Sequence, residues 1–280
     1  MPVKKALKWV IFWVSIAILF NIGVYIWLGQ QKAIEFLTGY LIEEFLSVDN
    51  LFVFLVLFNY FRIPSKYQRK ILNWGIAGVI ILRGIFILLG VTLISNFAFI
   101  LYIFGAVLIY SGYKLIFNKE KEIHPEQNKV VKLFKKFMKT THEMKENRFF
   151  IKKEGFTYAT PLFICLIVIE STDVVFAIDS IPAIFAITND PFIIFSSNIL
   201  AVLGLRSIYF LLSVVADKFA FVKKGVGIVL VYVGIKMLLP IARPGWHIPA
   251  HISLLVIIFI LVVSVIISIF INRKTSRQSV

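Results

Sequence analysis

The sequence predicts an all-α, polytopic membrane protein of about eight transmembrane helices, six of them forming two inverted three-helix repeats. Three observations predict it. Of 280 residues, 59% are hydrophobic and 16% charged, with a mean hydropathy of +0.89, more apolar surface than a soluble domain of this length can bury. The apolar residues fall in runs long enough to cross a bilayer, bounded by polar turns. Finally, motifs in the first half recur in the second at a nearly constant offset.

The runs lie at about 7–28, 34–61, 71–94, 97–117, 157–187, 192–215, 224–242 and 249–271. The first follows Lys4, Lys5 and Lys8, as an export signal would. Its apolar stretch to Leu28 is long, carries tryptophan and lacks a small-residue cleavage pattern, which makes it a retained helix. The chain then divides into residues 1–33 (first helix and outer turn), 34–117 (repeat one), 118–156 (a basic linker), 157–242 (repeat two) and 243–280 (final helix and tail). Within the linker, Val130, Val131, Leu133, Phe134, Phe137 and Met138 recur at helical spacing among Lys132, Lys135, Lys136 and Lys139. That pattern predicts a basic amphipathic helix on the membrane surface. His124 and His142 read as solvated loop histidines. Cys165, the single cysteine, excludes an intrachain disulfide and reads as a packing residue.

The net charge of +15 is unevenly placed. With eight spans, 24 of the 30 basic residues fall on one side and only Lys32 and Arg243 on the other; Arg83, Lys114, Arg206 and Lys236 lie within spans. By the positive-inside rule both termini are cytoplasmic, and the chain resides in the cytoplasmic membrane. The positive charge then faces anionic lipid, so membrane lipids are expected partners and nucleic acid is not.

The repeat is read from Arg83-Gly-Ile-Phe-Ile-Leu-Leu against Arg206-Ser-Ile-Tyr-Phe-Leu-Leu, and from Gly105, Tyr110, Gly112 and Lys114 against Gly227, Tyr232, Gly234 and Lys236, at offsets of 123 and 122. Upstream, Glu43, Asp49 and Asn50 match Asp173, Asp179 and Ser180 at offset 130. A rival register, Ser47 and Asp49 on Ser171 and Asp173 at offset 124, stays open. Each repeat has three helices, an odd number, so the second copy starts on the opposite face. Transporters built this way hold their substrate near mid-bilayer, at the repeat interface.

Within the spans lie Glu43, Glu44, Asp49, Glu170, Asp173 and Asp179. Uncompensated, six ionised acids at helix centres would cost on the order of 15 to 20 kcal/mol. Arg83 and Arg206 offset two of them and leave a formal charge of −4 for cations or protons to balance. The six-residue spacing within each acid pair turns an ideal helix by about 600°, so one face holds both acids only if the helix is broken; Pro182 points to such a break in the fifth span. The available donors are carboxylates, Asn50, Asn198, hydroxyls and backbone carbonyls, a set suited to Mg, Ca or Mn rather than Zn or Cu. Lys114 and Lys236, near span ends, read as snorkelling residues. Glu44 stays open between a solvated entrance and a ligand. Glu35, Asp190 and Asp217 read as turn or cap residues.

At these residues the chain resembles the TerC family, especially its Alx-like branch, within the lysine-exporter type superfamily. The matching motifs are Glu43 with Ser47-Val48-Asp49-Asn50, Leu82-Arg83, Glu170 and Asp173 with Phe176-Ala177 and Asp179-Ser180-Ile181-Pro182-Ala183, Ser197-Asn198, and Leu203-Gly204-Leu205-Arg206. The resemblance implies export of Mn²⁺ as transported ion, with no resident cofactor, and Glu43, Asp49, Glu170, Asp173 and Asp179 as its acidic transport positions. Asn50, Arg83, Asn198, Arg206 and Glu44 would support them. Glu44-Phe45 is more acidic here than that pattern leads one to expect.

Two other classes bear on the same residues. A membrane accessory protein handing metal to secreted proteins, in contact with the secretion translocon, needs the same site. An intramembrane aspartyl protease also uses two acids sharing a proton, but Asp49 and Asp179 stand in charge-rich clusters and no glycine precedes either. The expectation is therefore a transporter and not an enzyme. No G-x-x-x-x-G-K-[ST] loop is present, so ATP is not the expected energy source.

Overall fold

The long apolar runs become helices because a bilayer leaves backbone amides no partner outside their own segment. The computed structural model describes residues 3–97, 99–117, 129–141, 143, 147–153, 155–215, 220–242, 246 and 248–278, without the side chains of 3, 48–49, 52, 129, 137, 206, 211–215, 220–221, 242, 269 and 271–278, Asp49 and Arg206 among them. Their order is α1 (Val3–Leu28), α2 (Gln30–Tyr60), α3 (Ser65–Asn96), α4 (Ile100–Phe117), α5 (Lys129–Phe137), β1 (Phe150–Lys153), β2 (Phe156–Ala159), α6 (Pro161–Phe185), α7 (Pro191–Val215), α8 (Ala220–Ala242) and α9 (Ala250–Gln278). Among the described residues seven helices are long and apolar enough to cross a membrane, and all the long helices except α2 are among them. The 31 residues of α2 would span about 46 Å, but it carries Glu35, Glu43, Glu44 and Asp49. His124, His142 and Asp217 lie outside the described residues.

The chain forms two compact units. The first comprises Met1–Asp49, Arg83–Lys119 and Ala177–Val280. One of its cores joins Ile42, Leu108 and Ala183 to Val226, Leu230 and Val233 of α8 and to Ile257 and Leu261 of α9. A second core packs Ala17 and Val24 of α1 on Phe36 and Tyr40 of α2 and on Ile193 and Ala201 of α7.

Glycines let α4 and α8 meet backbone to backbone. A Cβ placed on Gly105 would lie 3.1 Å from the Gly234 carbonyl, and one on Gly234 would lie 2.7 Å from the Gly105 carbonyl. Gly112 and Gly227 oppose each other in the same way, at 2.5 and 2.9 Å. Rising numbers meet falling ones, so the pair is antiparallel. Exchanging 105 with 227 and 112 with 234, the positions matched by the internal repeat, turns each contact into the other.

The second unit comprises Asn50–Leu82 and Glu120–Phe176. Within residues 118–156 the described parts include a helix and the first strand of a β-hairpin. α5 forms within the predicted amphipathic stretch, and Val131 is buried. Residues 150–159, partly assigned from sequence to the fifth span, instead make an antiparallel hairpin that turns at Gly155 with φ of 78°. Phe163 of α6 gathers Phe134, Phe149 and Phe150 around its ring, with centroids 4.4 to 6.0 Å away. Trp74 of α3 meets Phe149, and Lys70 lies over the same ring.

Two further expectations change. The predicted break at Asp179 and Pro182 is absent, since α6 continues through Pro182 to Phe185. A proline in the last turn forfeits one hydrogen bond close to where the helix stops anyway, so the loss costs little there. Glu35 is not a simple turn residue. It is buried, accepting from Gln31 at 3.2 Å, Lys32 at 2.9 Å and Thr188 at 2.6 Å, while Lys32 also reaches Asp190 at 3.2 Å. Asp190 is a cap as expected, with Oδ1 accepting from the Phe192 amide at 3.0 Å at the start of α7.

Candidate functional site

Each unit holds one cluster of the predicted residues. In the first unit, Glu43 of α2 and Arg83 of α3 form an ion pair, and both are almost completely buried. Ser47, one turn after Glu43, donates to Glu43 Oε1 at 3.0 Å. The guanidinium is fixed from two more helices: Nη1 donates to Asn198 Oδ1 of α7 at 2.7 Å and to Ser180 Oγ of α6 at 3.3 Å. Asn198 is oriented in turn by its amide, which donates to the Ile194 carbonyl at 3.2 Å. The result is a polar centre in which Glu43 has a built-in counter-charge.

The second unit's cluster is arranged differently. Asn50 Nδ2 of α2 donates to Asp173 Oδ1 of α6 at 3.3 Å, which turns the other end of the amide, Oδ1, away from that bond. Asn50 Oδ1 is shielded from solvent without a hydrogen bond among the described residues. Glu170 stands one turn before Asp173, within its electrostatic reach. Its Oε2 is likewise shielded and without a donor. The carboxylate lies against the bare backbone of α3 at Gly78, where any Cβ would overlap it. Among the described residues this cluster has acceptors to spare at Glu170 Oε2 and Asn50 Oδ1.

Two more of the predicted acids, Asp179 and Glu44, belong to the first unit. Asp179 accepts from Ser111 of α4 at 2.5 Å and is in reach of Lys114. Glu44 is near Gly204 of α7 and within electrostatic reach of Glu43, with Oε2 shielded and unbonded among the described residues. Among the described residues no three His, Cys, Asp or Glu side chains gather as metal ligands. The side chains of Asp49 and Arg206 lie outside this description. Asp173 and Asp179 meet different partners, as their spacing requires on an unbroken helix.

The structure adds Ser47, Gly78, Ser111 and Ser180 to the predicted set. Ser47 was visible in principle, because i and i+4 side chains share a helix face. Gly78 had no such signal; its role exists only once α3 and α6 touch. Of the two lysines read as snorkelling, Lys114 is exposed, whereas Lys236 is half-buried in a cavity wall.

Comparison with known proteins agrees with this architecture. Proteins of Escherichia coli (strain K12) and Salmonella typhi, both carrying the name "Putative membrane-bound redox modulator Alx", are 44% and 43% identical over 286 residues, covering 99% of this chain and 88% of each relative. An "Uncharacterized membrane protein STKORF319" of Myxococcus xanthus is 43% identical over 270 residues, 96% of this chain and 84% of its own length. No solved structure matches the chain. Residues 28–276 match the model of the integral membrane protein TerC family, and the chain belongs to that family.

Proposed function

We propose that the protein is a secondary transporter that exports a hard divalent cation, Mn²⁺, across the cytoplasmic membrane. One observation carries this reading: in the second unit Glu170 Oε2 and Asn50 Oδ1 are shielded from solvent with no donor among the described residues, beside the carboxylate of Asp173. Buried acceptors left so are costly unless a cation or proton meets them. Carboxylate and amide oxygens are the donor types that Mn²⁺, Mg²⁺ and Ca²⁺ take, and they disfavour softer metals. Glu170, Asp173 and the Asn50 carbonyl oxygen would hold the ion. Arg83 holds the charge of Glu43, so Glu43, with Asp49 and Asp179, would serve the ion along its path.

The reciprocal glycine contacts of α4 and α8 support two inverted repeats, residues 34–117 and 157–242, because an in-plane two-fold axis generates such an exchange. The charge distribution supports cytoplasmic termini, and a cysteine placed at Lys129 is then closed to impermeant reagents in intact cells. The redox modulation in the relatives' name does not extend to a dithiol in this chain, which has one cysteine, Cys165, and that one buried. A redox effect would reach the cell through the metal instead. The test is Mn²⁺ flux into proteoliposomes holding only the purified protein. Flux above empty liposomes, outcompeted by excess Mn²⁺ and little affected by Zn²⁺, is expected; no flux would remove the reading.

A further inference from the structure

A second site lies where α6 and α8 end. A cavity of about 310 Å³ opens there, walled by Leu101, Phe185, Met237 and Trp246, with Asn189 and Lys236 as its polar residues. Lys236 is a half-buried ammonium with three hydrogens to donate. Glu35 is the acid whose field reaches it, but the oxygens of Glu35 already accept from Gln31, Lys32 and Thr188. Among the described residues no acceptor atom meets the Lys236 ammonium, which leaves its three donors to solvent or to a ligand entering the cavity.

We propose that this cavity binds the phosphate-bearing headgroup of an anionic membrane phospholipid. Lys236 supplies the counter-charge and the Asn189 amide a further donor. Leu101, Phe185 and Met237 lie against the glycerol and upper acyl chain. The setting favours lipid as the source of the phosphate: both helices leave the apolar core here, and Trp246, 56% exposed, is a residue type that settles at headgroup depth. The volume is at the small end of the range for ligand pockets, roughly 300 to 1,000 Å³, which suits a headgroup rather than a whole lipid.

The experiment uses the full chain in phosphatidylcholine nanodiscs with and without phosphatidylglycerol, reading thermal unfolding and, by native mass spectrometry, the lipid retained. Phosphatidylglycerol is expected to raise the midpoint and stay bound. Lys236→Gln should weaken that binding about tenfold, the worth of one charged hydrogen bond, and Lys236→Arg should keep it. Asn189→Asp, at an exposed residue, sets a negative charge against the headgroup with little risk to the fold and should also lower binding. Lys236→Gln and Asn189→Asp proteins that hold phosphatidylglycerol as tightly as the parent would overturn the site. An equal rise from inorganic phosphate in phosphatidylcholine alone, lost in Lys236→Gln, would overturn the lipid assignment.

Discussion

The two acid clusters look alike in sequence and differ in how their charge is met. Glu43 has a resident cation: Arg83 is buried beside it and is held by Ser180 and Asn198. Glu170 has no such partner among the described residues, where its shielded Oε2 meets no donor. A buried charge matched by the protein is structure, while one left unmatched is a place for something mobile. That difference separates the scaffold from the proposed ion site more sharply than counting carboxylates does.

The largest effect should come from breaking the matched cluster. Arg83→Ala strands Glu43 without its counter-charge and should cost about 3–5 kcal/mol, seen as loss of folded protein in detergent unfolding. Adding Glu43→Gln removes the stranded charge, so the double variant should recover part of that loss. Equal stability of Arg83→Ala and the parent would mean that the pair is not holding the core.

A smaller effect should follow from Gly78→Ala. The added methyl displaces the Glu170 carboxylate, with a packing cost of roughly 1–3 kcal/mol. Mn²⁺ transport should fall while the remaining protein keeps its helix content by circular dichroism. Gly112→Ala should cost a similar amount by prising α4 from α8, but it should leave Mn²⁺ binding intact, because no proposed ligand touches that seam. The smallest effect belongs to Lys114→Ala: the lysine is exposed and Asp179 keeps its bond from Ser111, so stability should change by less than about 1 kcal/mol and transport only mildly.

Much of the fold was legible because the bilayer writes helices as long apolar runs, and the runs at 97–117 and 192–215 agree closely with α4 and α7. The hairpin was not. Strands of four residues give too little alternation to register, and Phe156, Tyr158 and Ala159 pass for the start of a span. The break at Pro182 was overread, since a proline's cost depends on its distance from the helix end. In the site, Arg83 was legible as an intramembrane cation, but its pairing with Glu43 depends on which helices touch. Lys32 and Glu35 stood at helical spacing in the sequence, yet their link to Thr188 and Asp190 needs the loop before α7 in place.

The most direct test of the central claim is Mn²⁺ binding by Glu170→Gln, measured by titration calorimetry beside the parent and Glu43→Gln. If Glu170 is a ligand whose charge the protein leaves unmatched, Glu170→Gln should keep its stability within about 1 kcal/mol and lose at least tenfold in Mn²⁺ affinity, while Glu43→Gln should lose stability first. Mn²⁺ binding by Glu170→Gln at the parent's affinity would contradict the account.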